Sequence, residues 1–406
     1  MLTSYRTILA TDGAVGFTTA GALGRLPASM TGLGIILLVS ARSDSYAQAG
    51  TIAAIYILVS AVFAPVQGRL ADRFGQAPVL FASGGLFAAG LTVFLLVIDS
   101  SLVLAGFAAA VMGMGAPQTG NMARSRWTAL LDDRTRLQTA FALEAVLDEA
   151  VFIVGPVLVT VLTLSALDWS GLGVAGVAAI VGAWGMAAQR ATQPAHQQHL
   201  GKPPQPLRWS LLAPLIVAAV GLGVLFGSAE VLVVAFTDEQ GKRSAAGLVL
   251  AIWSVGSLLA GVIVGTQPAP NNPVSRLRLT TFGLVVLFVP LIFAPNILAL
   301  AVGFFLAGLM VAPTLITAVH LVELNTPASR LTEALTWTTT GLSVGVAAGG
   351  ALAGIIVDTW SASIGFILPT AAAALAAIVA QFYRPDPAGT NWETPTSSGE
   401  SSPVAE

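Results

Sequence analysis

Read along the chain, apolar residues fall into twelve long runs broken by charge, proline, glycine or asparagine, near 14–40, 48–68, 77–98, 102–123, 138–164, 170–188, 210–236, 245–265, 279–295, 297–319, 332–357 and 361–383. A helix needs about 20 apolar residues to cross the hydrocarbon of a bilayer, so the pattern predicts an all-α membrane protein with twelve transmembrane helices. Met1 to Ala10 has only Arg6 as a basic residue, and the apolar run after it is longer than a signal core, so the first run is expected to stay as helix one. The longest polar interruption, with His196, His199 and four prolines, splits the chain into six and six. The expected organisation is a six-helix bundle over 1–188, a cytoplasmic linker over 189–209, a second bundle over 210–383, and a disordered cytoplasmic tail over 384–406. The tail is rich in Pro, Ser, Thr and Glu and cannot bury enough apolar surface to order itself.

Composition agrees and removes alternatives. Hydrophobic residues make up 55% and charged residues only 9%, against about a quarter charged in a soluble domain. A net charge of −2 offers no basic excess for nucleic acid. Cysteine is absent, which excludes disulfides, Cys-ligated zinc, iron–sulfur clusters and thiol catalysis. The basic residues are also informative by position. With the N-terminus inside, fourteen fall in cytoplasmic loops, three (Arg42, Lys242, Arg243) in outer loops, and Arg25 within a span. Basic residues are retained on the cytoplasmic side, so both termini are expected there, in a cytoplasmic (inner) membrane.

An internal repeat is visible in outline. Gly113-Met-Gly-Ala-Pro117 in the fourth run and Gly308-Leu-Met-Val-Ala-Pro313 in the tenth each place Ala-Pro at mid-span. In both halves an acid follows early in the next helix, Glu144 and Glu333. Related halves are common in secondary transporters.

Between the second and third runs stands Gly68-Arg-Leu-Ala-Asp-Arg-Phe-Gly-Gln-Ala-Pro-Val-Leu80. It resembles the Gly-x-Leu-Ala-Asp-Arg-x-Gly signature of the major facilitator superfamily, in that family's expected loop. Gln76 and Ala77 stand where the family usually has basic residues. The resemblance implies two pseudo-symmetric six-helix bundles around a central cavity. It also implies that Gly68, Asp72, Arg73 and Gly75 form a cytoplasmic latch, with the acid partly facing a helix N-terminus. A carboxylate so placed gains about 0.3–1 kcal/mol. Gly155-Pro156 in the fifth run looks like the core of the motif of the family's antiporters, although the flanking glycines are missing. The mid-membrane arginine of the family's proton-coupling motif is absent from the fourth run, where Arg124 and Arg126 lie at the cytoplasmic end.

Six ionisable residues fall well within the runs: Arg25, Glu144, Asp148, Glu149, Glu230 and Glu333. An Asp, Lys or Arg at a helix centre costs about 2.5–3.5 kcal/mol, so these groups should face protein or a wet cavity. Counting ~1.5 Å per residue puts Arg25 about 16 Å and Asp148 about 15 Å from the cytoplasmic ends. An Arg25–Asp148 ion pair is expected, with Glu144 the other candidate partner; a pure tie between helices one and five is the plain alternative. One arginine cannot neutralise three acids, and like charges in a low-dielectric site favour protonation of one of them. Glu144, Asp148 or Glu149 is therefore the expected carrier of a coupling proton, unless the same excess serves a cationic substrate. Glu230, near the outer face, is assigned to substrate or outer gate, or to interfacial snorkelling. Glu333 reads as a cap of its own helix dipole, and Asp12, Asp358 and His320 support no functional role. Trp253 and Trp337 are placed beside the cavity, with packing or lipid contact as the plain alternative. Trp127, Trp169, Trp209 and Trp360 go to an interfacial belt.

Gly171-Leu-Gly-Val-Ala-Gly176 matches a dinucleotide pattern but follows no strand, and Gly341, Gly345 and Gly349 share a helix face that a neighbour can approach closely. No cofactor, metal site or catalytic constellation is expected, and so no enzyme. The reading is a secondary active transporter that moves a small amphipathic molecule by alternating access, as a drug/proton antiporter-like exporter whose partners are substrate, proton and lipid bilayer. Uptake symport of a metabolite and a non-transporting receptor or scaffold stand as the alternatives.

Overall fold

The computed structural model describes residues 2–131, 133–165, 167–194, 207–265, 272–326 and 331–384. His196, His199, the middle of the linker and the tail beyond Arg384 lie outside the described residues, as does the side chain of Glu333. Twelve stretches are long and apolar enough to cross a membrane and are numbered here as spans 1 to 12: Ala14–Ser43, Tyr46–Phe74, Gln76–Val97, Leu102–Leu130, Thr139–Ser165, Ser170–Ala188, Trp209–Glu239, Arg243–Val264, Pro273–Phe293, Ile297–Leu324, Ala334–Thr359 and Ala362–Phe382. Among the described residues there is no strand.

Two mid-span prolines act differently. Span 4 breaks at Pro117: one helix ends at Gly115 and the next begins at Thr119. The carbonyls freed there accept bonds from Gln67 of span 2, whose Nε2 donates to Met114 and Ala116, each at 3.0 Å. Lipid offers no hydrogen bonds, so a side chain must satisfy such carbonyls. Pro313 of span 10 instead lies inside a continuous helix, with Thr317 donating back to its carbonyl at 2.7 Å. The repeat seen in sequence is thus a repeat of position without a repeat of conformation.

Spans 1–6 pack on one another, spans 7–12 do the same, and the halves meet along two seams, span 2 against span 11 and span 5 against span 8. Glycine makes both seams close. A Cβ at Gly50 would strike the backbone of Gly350, one at Gly354 the backbone of Tyr46, and one at Gly247 the carbonyl of Pro156. Gly345 and Gly349 likewise admit the backbone of span 7 at Val220 and Val224, so this glycine face is a packing surface inside the second half. Between apolar helices in lipid, such close van der Waals fit replaces the hydrophobic drive of water.

These seam contacts lie toward the end of the bundle that carries the 1–2, 7–8 and 11–12 connections, the closed end. At the opposite end, called the open end here, a Cβ at Gly68 would meet nothing within 4 Å among the described residues, and Asp72 and Arg73 are exposed.

Candidate functional site

The charge cluster of the first half is built from spans 1, 4 and 5. Arg25 donates through Nη2 to Glu144, and its Nε lies 3.4 Å from Asp148. Glu144 is thus the direct partner and Asp148 the weaker one, the reverse of the order expected from depth. Depth counting measures distance along a helix axis and ignores rotation; the rotation of span 5 turns Glu144 toward span 1. Two further donors were misplaced by sequence position. Arg124 donates to Asp148 at 2.5 Å, and Trp127, assigned to an interfacial belt, is fully buried and donates through Nε1 to Glu144 at 2.7 Å. Both lie beyond the Pro117 break, which starts a new helix whose facing cannot be counted from the first. One arginine against three acids therefore becomes two arginines against two acids, with Glu149 left over.

Glu149 makes no hydrogen bond or ion pair among the described residues, and Glu230 makes none either. Both lie near where the halves meet. Glu149 is three residues before Phe152, whose carbonyl accepts a bond at 3.3 Å from Ser254 of span 8. That spacing puts both on one helix face, so Glu149 is one turn from the seam, toward the open end. Glu230 reaches from span 7 into the first half: its Oε2 is 3.6 Å from where a Gly32 Cβ would stand, and Ile57 of span 2 adjoins the same point. Glycine at 32 in span 1 leaves the space that the carboxylate approaches.

Trp253 is buried in the second half, its ring centroid 5.4 Å from Phe226, 5.3 Å from Phe304 and 6.5 Å from Phe288, and its Nε1 has no hydrogen-bond partner. Phe226 lies one turn before Glu230 on the same face, so aromatic surface runs from Trp253 toward the acid. Trp337 is elsewhere. It is 45% exposed and packs edge-on against Trp209 at 5.7 Å, near the open end, because the fourth residue of span 11 is too shallow to reach the Trp253 cluster.

The signature loop is ordered by Gly75, whose φ of 88° only glycine adopts readily, and whose N–H donates to Ala71. Asp72 makes no hydrogen bond or ion pair among the described residues, and Arg73 rests over the Phe74 ring at 5.1 Å. The departure at Gln76 has a local use. Its Oε1 accepts from the buried Arg126 at 2.8 Å, and Arg126 also binds Thr192 Oγ1 and the carbonyls of Met186 and Gln189. A basic residue at 76 would face that guanidinium. Asp358, which sequence position left without a role, crosses between the halves at the closed end, where it accepts three bonds from the start of span 2.

Twelve apolar helices in two halves joined along two seams, with Glu149 and Glu230 making no hydrogen bond or ion pair among the described residues, have the frame of a multi-pass membrane transporter. The family model described as Major Facilitator Superfamily matches residues 17–267 and 271–406. The chain belongs to that superfamily, and it is a secondary transporter of that type. Solved structures share the fold at low identity. A bacterial homologue of the iron transporter ferroportin, in an inward-facing state, is 14% identical with a TM-score of 0.68, covering 90% of this chain and 98% of that one. A peptide transporter, POT, is 13% identical with a TM-score of 0.70, covering 92% and 93%. A nucleoside transporter is 14% identical with a TM-score of 0.70, covering 91% and 98%. No curated protein sequence matches the chain.

Proposed function

We propose that this transporter exports a small amphipathic molecule across the cytoplasmic membrane against an inward flow of protons. The closed end faces outward, both termini lie in the cytoplasm, and 1–188 and 210–383 are the bodies that rock. The observation that carries this reading is the pair of unpartnered carboxylates, Glu149 and Glu230, on the cleft. An uncompensated charge within a bilayer is costly. Each acid therefore takes a proton when the cleft is dry and releases it when the cleft fills with water. Glu144 and Asp148, already satisfied by Arg25, Arg124 and Trp127, hold the first half together rather than carrying the proton. The apolar and aromatic lining around Phe226 and Trp253, with few fixed hydrogen-bonding groups, suits an amphipathic cargo. The structural relatives carry different cargoes on one frame, so cargo is decided by this lining and not by the fold.

The first experiment is thermal stabilisation of the purified protein by a panel of drugs, amino acids and sugars at two pH values, which selects the cargo. Transport of that cargo in proteoliposomes then tests coupling. Glu149→Gln and Glu230→Gln are expected to abolish transport driven by a pH gradient while leaving cargo exchange at equal pH intact. Gradient-driven transport unchanged in both variants would remove Glu149 and Glu230 as the proton carriers, a pH gradient that drives no transport in the unaltered protein would remove the proton, and loss of cargo binding in Glu230→Gln would make that acid the site of a cationic cargo instead.

A further inference from the structure

Asp358 occupies a position that its own helix disfavours. It is the penultimate residue of span 11, where the carbonyl end of the helix dipole repels a carboxylate. Its partners belong to the other half. Oδ1 accepts the N–H of Tyr46 at 2.8 Å, and Oδ2 accepts Ser45 Oγ at 2.6 Å and the N–H of Ala47 at 2.9 Å. Ser45 is the N-cap of span 2 and Tyr46 and Ala47 its first residues, so the carboxylate sits across the positive end of that helix and binds amides that have no partner within it. Gly350 and Gly354, eight and four residues earlier on the same face of span 11, remove the bulk that would hold Asp358 away from span 2.

A second, independent set of bonds crosses at the same end. Tyr46 Oη donates to Asp238 of span 7 at 2.8 Å, and Arg243, 3.6 Å from Asp238, donates to Ser40 Oγ at 2.5 Å and to the Leu37 carbonyl at 3.1 Å. Asp358 itself is exposed. When the seam parts, water can take over its bonds, so the contact is strong enough to bias two states without trapping one.

We propose that Asp358 is a positioning residue of the transport cycle: its carboxylate latches span 11 onto the N-terminus of span 2, holds the closed end shut, and lets go each time that end opens. It is the counterpart, at the opposite end and on the opposite half, of Asp72 in the signature loop, which is free in this state. The inference needs neither the cargo nor the coupling ion to be known.

The chain has no cysteine, so labels can be added without background. Spin labels at Ser100→Cys and Lys242→Cys, one on each half at the closed end, report its opening through their distance distribution in lipid nanodiscs. Hydrogen bonds to a charged group are among the stronger ones, so Asp358→Ala should raise the ratio of open to closed at this end about tenfold. Asp358→Asn, which keeps an acceptor oxygen without the charge, should fall between. An unchanged distance distribution in both variants overturns the proposal, and so does lowered thermal stability with an unchanged distribution, since that is the signature of an ordinary surface cap. Should Asp358→Ala not fold, Asp358→Asn and Ser45→Ala are read the same way, and no shift in either overturns it.

Discussion

At the closed end, polar bonds run between the halves: Asp358 to the start of span 2, Tyr46 to Asp238, and Arg243 to span 1. Toward the open end several bonds lie within a half. Arg25 and Trp127 hold Glu144, Arg126 holds Gln76 and the end of span 6, and Arg278 of span 9 donates to the carbonyls of Ala380 and Tyr383. The chemistry is similar at both ends, but burial differs. Glu144 and Arg126 are 0% exposed, whereas Asp358 and Asp72 are exposed. Leaving a buried charge without its partner costs about 3–5 kcal/mol, and losing hydrogen bonds at an exposed charge costs about 1–2 kcal/mol. The buried Arg25–Glu144 contact ties spans of one half, and the exposed Asp358 contact joins the two halves; exposure alone does not separate the two kinds, since Arg42 binds Asp99 and Asp168 at the surface within the first half.

The sharpest way to break that comparison is to attack a bond of each kind. Arg25→Met leaves Glu144 buried without its cation and should cost about 3–5 kcal/mol of stability, read as a lowered unfolding midpoint. A loss below about 1 kcal/mol would mean that the cluster does not hold the half together. Next is the seam. Gly354→Leu forces a side chain against the Tyr46 backbone and should cost the closed state about 1–3 kcal/mol, a shift toward opening of about 5- to 150-fold. Label distances measure that shift, and a stability loss in its place would make span 11 part of a fixed core. Tyr46→Phe removes one bond to Asp238 and should shift the same equilibrium about three- to tenfold; no shift would confine latching to Asp358. The smallest structural effect is expected from Glu149→Gln, which should change stability by no more than about 0.5 kcal/mol because no partner is lost. A larger loss would show that Glu149 has a structural role after all.

What could be read in sequence follows the range of each interaction. The spans are local patterns of apolar residues, and all twelve appear where the runs lie, extended by a few residues where charged helix ends continue into the loops. The signature loop is local too. Facing was the first thing lost. Arg124 and Trp127 were assigned to a span end by linear count, and only the break at Pro117 shows why they turn toward Glu144. Distance was the second. Asp358 and Ser45 are 313 residues apart, and neither has a local pattern that names the other. One clue was available: an acid in the last turn of a helix opposes its own dipole, and such an acid invites a search for a helix N-terminus elsewhere. Trp337, only six residues into the run 332–357, packs against Trp209 near the start of span 11, in line with the packing alternative.

As proposed above, two internally bonded halves exchange one closed end for the other, and Asp358 biases the exchange. The most direct measurement follows both ends in one variant. One labelled pair, Ser100→Cys with Lys242→Cys, reports the end closed here, and another, Arg69→Cys with Glu323→Cys, reports the end open here, each with and without Asp358→Ala. The substitution should lengthen the first distance and shorten the second in the same fraction of molecules. A first distance that lengthens while the second stays fixed, or two distances that grow together, would contradict the proposed exchange.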